Sequence, residues 1–96
     1  MSTALSYASA PSTVPLLGET IGANLGRTVE RFGDREALAD RPTGRRWTYR
    51  QLDDDVSTLA RGLLARGLTK GDRVGIWSPN GAEWVLVQYA TAKIGV

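Results

Sequence analysis

The stretch from Arg73 to Ile94 constrains the fold most, because a strand pattern runs directly into a helix pattern that is apolar on almost every side. Val74 and Ile76 alternate with Arg73 and Gly75, and Trp77 follows, so Arg73–Ser78 reads as a strand. Pro79 stops it, and Asn80 with Glu83 reads as the cap and third residue of a helix. That helix carries Trp84, Val85, Leu86, Val87, Tyr89, Ala90, Ala92 and Ile94. Apolar groups on almost its whole circumference predict burial on more than one side, and Gly95 closes it. A strand followed closely by a helix is the first two-thirds of a β-α-β unit. Its parallel strand needs a partner and cover on both faces. Nothing before it supplies both covers. The expectation is an α/β fold of which this chain is the truncated opening part, with a further strand owed at about Val96.

The preceding elements are shorter and more local. Ile21, Leu25, Val29 and Phe32 recur at helical spacing, with Thr20 to cap the start and Gly33 to end the helix. Gly22 and Gly26 each cost about 1 kcal/mol relative to Ala, so this helix must lean on a neighbour. With Gly18 they spell G-x-x-x-G, but Glu19 and Asn24 interrupt it, which leaves small-residue helix packing rather than a membrane dimer. Glu36–Asp40 and Arg45–Thr48 read as a small hairpin around Arg41-Pro42-Thr43-Gly44, with Pro second and Gly fourth as a type I turn prefers. Thr48 then opens a helix over Tyr49–Arg66. Thr48 and Gln51 form a capping box, and Trp47 and Leu52 occupy the staple positions around it. Leu52, Val56, Leu59 and Leu63 make its stripe, with Leu59 central, and Gly67 gives the left-handed stop. A Lys70-Gly71-Asp72 turn follows.

The chemistry open to this chain is narrow. It has 96 residues without Cys or His, which excludes disulfides, thiolate or imidazole metal sites, a Cys nucleophile and a His base. Twelve basic residues against ten acidic ones leave +2, which makes no nucleic-acid surface. With 42% hydrophobic and 23% charged residues the composition is globular, and no segment has the roughly 20 apolar residues of a membrane span. Residues 1–18 carry no charge and are rich in Ser, Thr, Ala and Pro. They read as a disordered leader, with a degenerate targeting peptide the alternative, and the expected location is cytoplasmic. Residues 19–96 then form the folded portion.

No motif carries a reaction. Gly62 and Gly67 have the spacing inside a Walker loop, but Leu68-Thr69 follow instead of Lys-Ser/Thr. Gly71 and Gly75 fit a turn. Ser78 lies between strand and helix but has Pro79 after it and no His base. Glu83 is explained by capping. Successive side chains of Asp53-Asp54-Asp55 splay by about 100° on a helix, so they do not converge on one ion, and their charges suit its positive end. Trp47, Trp77 and Trp84 read as core anchors.

Taken in order, Thr48-Tyr49-Arg50-Gln51-Leu52, Leu59-Ala60-Arg61-Gly62-Leu63, Gly71-Asp72-Arg73-Val74, Pro79-Asn80, Glu83-Trp84 and Ala90-Thr91-Ala92-Lys93-Ile94-Gly95 resemble the opening of the AMP-forming acyl-CoA synthetases. The stretch from Gly75 to Ala92 is most similar to the medium- and long-chain fatty-acid branch. The resemblance implies a ligase that activates a carboxylate with Mg2+-ATP to an acyl-adenylate and transfers it to CoA. It places the phosphate loop, the adenine and ribose sites and the catalytic Lys beyond residue 96, so no catalytic, cofactor-binding or metal residue is expected here. It makes the remainder of the adenylation domain this segment's partner, with fatty acid, ATP and CoA as ligands of the parent, and the segment alone inactive. The rival reading is a free-standing interaction module, which leaves the apolar last helix as an exposed patch.

Overall fold

In the computed structural model, which describes residues 7–96, a cap or a turn begins or ends each element. Residues 7–20 are exposed and carry no helix or strand; Met1–Ser6, part of the expected leader, lie outside the described residues. Helix α1 spans Ile21–Phe32, strands β1 and β2 span Glu36–Asp40 and Arg45–Thr48, and helices α2 and α3 span Tyr49–Ala65 and Ala82–Ile94. The two strands pair antiparallel, so the described residues form an α/β arrangement of three helices and one hairpin.

Local chemistry sets these boundaries. The Thr20 hydroxyl accepts from the Ala23 amide at 3.1 Å and starts α1. Gly33 ends α1 in an ordinary right-handed conformation. Its role is close approach: a Cβ there would collide with the Arg50 guanidinium. In the hairpin, Gly44 takes φ 74° and its amide donates to the Asp40 carbonyl at 2.8 Å. The loop therefore closes one residue earlier than a simple turn over 41–44. The pairing shifts register between Glu36 and Leu38, which leaves Ala37 as a bulge.

The strand-to-helix switch at Thr48 is complete in both directions. The Gln51 amide donates to the Thr48 hydroxyl at 3.2 Å, and the Thr48 amide donates to Gln51 Oε1 at 2.9 Å. Trp47 and Leu52, the staple pair, are both buried. At the far end of α2, Gly67 takes φ 93°, its amide donates to Leu64 O and the Leu68 amide to Leu63 O, the double bond of a Schellman stop. Thr48→Ala should lower stability by about 1 kcal/mol through the lost cap. A urea midpoint unchanged from the parent chain would show that packing alone starts α2.

The core comprises Leu25, Trp47, Leu52, Val56, Ala60, Ala82 and Ala90. Val56, not Leu59, is its centre: Val56 is wholly buried, whereas Leu59 and Leu63 are only partly so. Gly22 brings α1 close to α3, since a Cβ there would lie 3.5 Å from Lys93 Cγ, while Gly18 and Gly26 have open space. Only one glycine of the repeat serves helix packing.

Three expectations fail. Arg73–Ser78 is not a strand: it is irregular, because a strand exists only against a hydrogen-bonded neighbour and none of the described residues provides one. Helix α3 is capped by Gly81, not Asn80, with no side-chain cap bond. Of the three Trp residues only Trp47 anchors the core; Trp77 stands wholly in solvent and Trp84 is partly exposed. α3 packs mainly on α2 and also on α1, yet only its Ala82 and Ala90 are buried.

Candidate functional site

Helix geometry sends the three consecutive aspartates of α2 to different places. The Asp53 carboxylate accepts from Lys93 Nζ at 2.6 Å, and the same ammonium donates to Ser57 Oγ at 2.9 Å. Asp55 Oδ2 accepts from the Trp47 indole N–H at 2.8 Å. Asp54 is exposed. One carboxylate thus ties α2 to α3 and one ties it to β2. The first turn of α2 holds no acidic residue, so the run does not serve the helix terminus. Lys93, whose stem also covers Gly22, joins all three helices.

Glu83 has a different task from the capping expected of it. It sits one position earlier than a capping-box residue, and its Oε1 accepts from Arg45 Nη2 at 2.9 Å. Arg45 also lies 3.6 Å from Asp40, donates from Nε to the Thr43 hydroxyl at 3.2 Å, and places its guanidinium 5.2 Å from the Trp47 ring centroid. One guanidinium thereby joins the hairpin loop, the core Trp and the start of α3. The Arg45 hydrogen bond holds the Glu83 carboxyl below the usual range, helped by a backbone bond to Glu83's own amide. The same bond raises the Arg45 guanidinium above its ordinary value. A carboxyl depressed in the fold stabilises above its unfolded value and loses that contribution as pH falls through the folded one. Glu83→Gln should therefore lower thermal stability slightly at neutral pH, flatten the acid limb of the profile and leave the slope above neutral pH unchanged. An acid limb identical to that of the parent chain would show the pair to be silent. Both groups face water, so the effect is small.

Ser78 is exposed, and its hydroxyl donates to the Pro79 carbonyl at 3.1 Å. Trp84 Nε1 donates to Ser78 O at 3.0 Å, which fastens this loop to α3. An open groove of about 340 Å³ is lined by Leu17, Glu19, Thr20, Ile21, Asn24, Gln88 and Tyr89. Its one carboxylate, Glu19, already accepts from Asn24 at 2.9 Å and Arg27 at 2.5 Å, which leaves no free base. Among the described residues no three His, Cys, Asp or Glu side chains gather as metal ligands. Among these residues, too, no helix is long and apolar enough to cross a membrane. The polar clusters here hold elements together. Arg73, Val74, Gly75 and Trp77 are exposed, as are Glu83, Trp84 and Gln88 of α3.

Three comparisons relate the chain to known proteins. The model of the family described as AMP-binding enzyme matches residues 25–96. The chain is 48% identical over 91 residues to the mitochondrial medium-chain acyl-CoA ligase ACSF2 of Danio rerio, covering 95% of this chain and 15% of that protein. It is 44% identical over 80 residues to the putative acyl-CoA synthetase YngI of Bacillus subtilis, covering 83% of this chain and 15% of that one. Among solved structures, a Mycobacterium tuberculosis fatty acyl CoA synthetase superposes with a TM-score of 0.75 at 33% identity, over 79% of this chain and 15% of that one. The chain therefore spans about 15% of the length of the curated relatives it matches.

Proposed function

The chain belongs to the AMP-binding enzyme family, and from that premise we propose that it is the N-terminal scaffold of an AMP-forming fatty-acyl-CoA ligase. The similarity to the Danio rerio medium-chain ligase across 95% of the chain carries this reading. In it, residues 19–96 open the adenylation domain and residues 1–18 precede it. The whole protein activates a fatty acid with ATP to an acyl-adenylate and passes the acyl group to CoA. ATP, Mg2+ and CoA belong to the rest of that domain. The residues present do not fit them: the sequence has no Gly-rich phosphate loop, and the described carboxylates do not cluster. What this segment does is position elements: Lys93 locks α2 to α3, and Arg45 locks the hairpin to α3.

The reading is tested on the longer protein and on this chain side by side. The longer protein should show ATP–pyrophosphate exchange that depends on a medium-chain fatty acid, and should form the CoA thioester. The 96 residues alone should show neither. Exchange by the isolated chain, or a longer protein inert towards every fatty acid, sinks the proposal. The compartment in this reading is cytoplasmic, whereas the Danio rerio relative is named mitochondrial. Cell fractionation of the longer protein separates the two.

A further inference from the structure

Asn80 is the residue type of a helix cap, yet the cap of α3 is Gly81 and no side chain bonds the end of the helix. The hydrogen bonds of this loop run past Asn80: the Ser78 hydroxyl donates to the Pro79 carbonyl, and the Trp84 indole to the Ser78 carbonyl. Asn80 is exposed, so water reaches its carboxamide. The nitrogen that follows it belongs to Gly81, which has no Cβ to crowd an approach to the Asn80 side chain. That Gly81 amide precedes the first helical residue, Ala82, and donates to no described backbone group, so it is free to turn. The chain's other asparagine is the opposite case. Asn24 lies within α1, donates from Nδ2 to Glu19 Oε1 at 2.9 Å, and donates from its own amide to the Thr20 carbonyl at 3.0 Å. Leu25, which follows it, is helical and buried.

We propose that Asn80-Gly81 is a self-modification site, at which the chain converts Asn80 to aspartate and isoaspartate with water as the only co-reactant. The Gly81 nitrogen gives its proton to a solvent base and attacks the Asn80 Cγ. The N–Cγ bond forms, the Cγ–Nδ2 bond breaks, and ammonia leaves with a proton from water. Water then opens the five-membered imide. Cleavage at Cγ yields aspartate, and cleavage at the main-chain carbonyl yields isoaspartate, whose backbone runs through Cγ. Both products lower the chain's net charge of +2 by one. The aspartyl form sets a carboxylate one residue before the cap of α3, near the positive end of that helix. The isoaspartyl form adds a backbone carbon to the loop that Trp84 fastens to α3.

The test incubates the 96-residue chain in mildly alkaline buffer, with and without urea, and follows both asparagines by peptide mapping that separates aspartate from isoaspartate. Without urea, Asn80 should convert at least tenfold faster than Asn24 and give both products. Its rate should rise about tenfold for each unit of pH, as attack by a deprotonated amide requires. Urea should speed Asn80 by less than tenfold, because the loop does not hold the reacting groups apart. Gly81→Ala should slow the conversion at least tenfold. The added Cβ lies 3.1 Å from Glu83 Oε2, the mobile end of a side chain, so the variant is also measured in urea, where the same slowing is expected. Conversion of Asn24 as fast as that of Asn80, aspartate without isoaspartate, or a rate independent of pH overturns the proposal. So does acceleration of Asn80 by tenfold or more in urea, which would show that the fold protects it. A Gly81→Ala chain that reacts at the parent rate, or is slowed only without urea, overturns the imide route and the proposal with it.

Discussion

Trp47→Ala should abolish cooperative folding of the 96-residue chain. Emptying a buried Trp costs about 3–5 kcal/mol, and a core in a chain of this size rarely supplies more than that in total. Three connections fail at once: the staple with Leu52, the indole bond to Asp55, and the surface beneath the Arg45 guanidinium. Trp47→Phe separates volume from hydrogen bonding, since it keeps most of the apolar body and loses only the donor. A hydrogen bond to a charged group contributes about 1.5–3 kcal/mol, and the exposure of Asp55 puts this one at the lower end. The Phe variant should fold with a lowered urea midpoint. An Ala variant that melts cooperatively near the parent midpoint would place the core elsewhere.

The second large effect is a contrast along one helix. Leu52→Ala should cost about 2–5 kcal/mol, because Leu52 is buried between Trp47 and the rest of the core. Leu59→Ala should cost about 1–1.5 kcal/mol, since a half-buried Leu removes about half as much apolar area from water. The stripe alone puts Leu59 at the centre. The structure turns α2 so that Val56 and Ala60 face inward and Leu59 sits at the margin. Equal losses for the two variants, measured as urea midpoints, would contradict that orientation.

The contrast shows what the sequence made legible. The hairpin, the capping box, the staple and the Gly67 stop each depend on residues within a few positions of one another, and each was readable. Arg45–Glu83 and Lys93–Asp53 join residues 38 and 40 positions apart, so nothing local marks them. The same physics explains the failed strand: alternation at Val74 and Ile76 states a preference, but a ladder needs a distant neighbour. Trp77 misleads because residue type alone does not separate an exposed aromatic from a core one. Asn80 is a better cap than Gly81 by residue type, yet α3 begins at Ala82, where Glu83 meets Arg45. Of the polar cluster, the Asp53 and Asp55 carboxylates hold elements together through Lys93 and Trp47, and the Asp run alone does not mark either partner.

An exposed segment without backbone partners, such as Arg73–Trp77, is also a template on which identical chains stack. Two residues around Val74–Trp77 oppose this: Arg73 brings a charge to one end, and Pro79, just past the other, lacks the N–H that a growing ladder would need. Such gatekeepers slow edge-to-edge aggregation. The segment thus has a charge at one end and a missing N–H past the other, with the exposed Val74 and Trp77 between them.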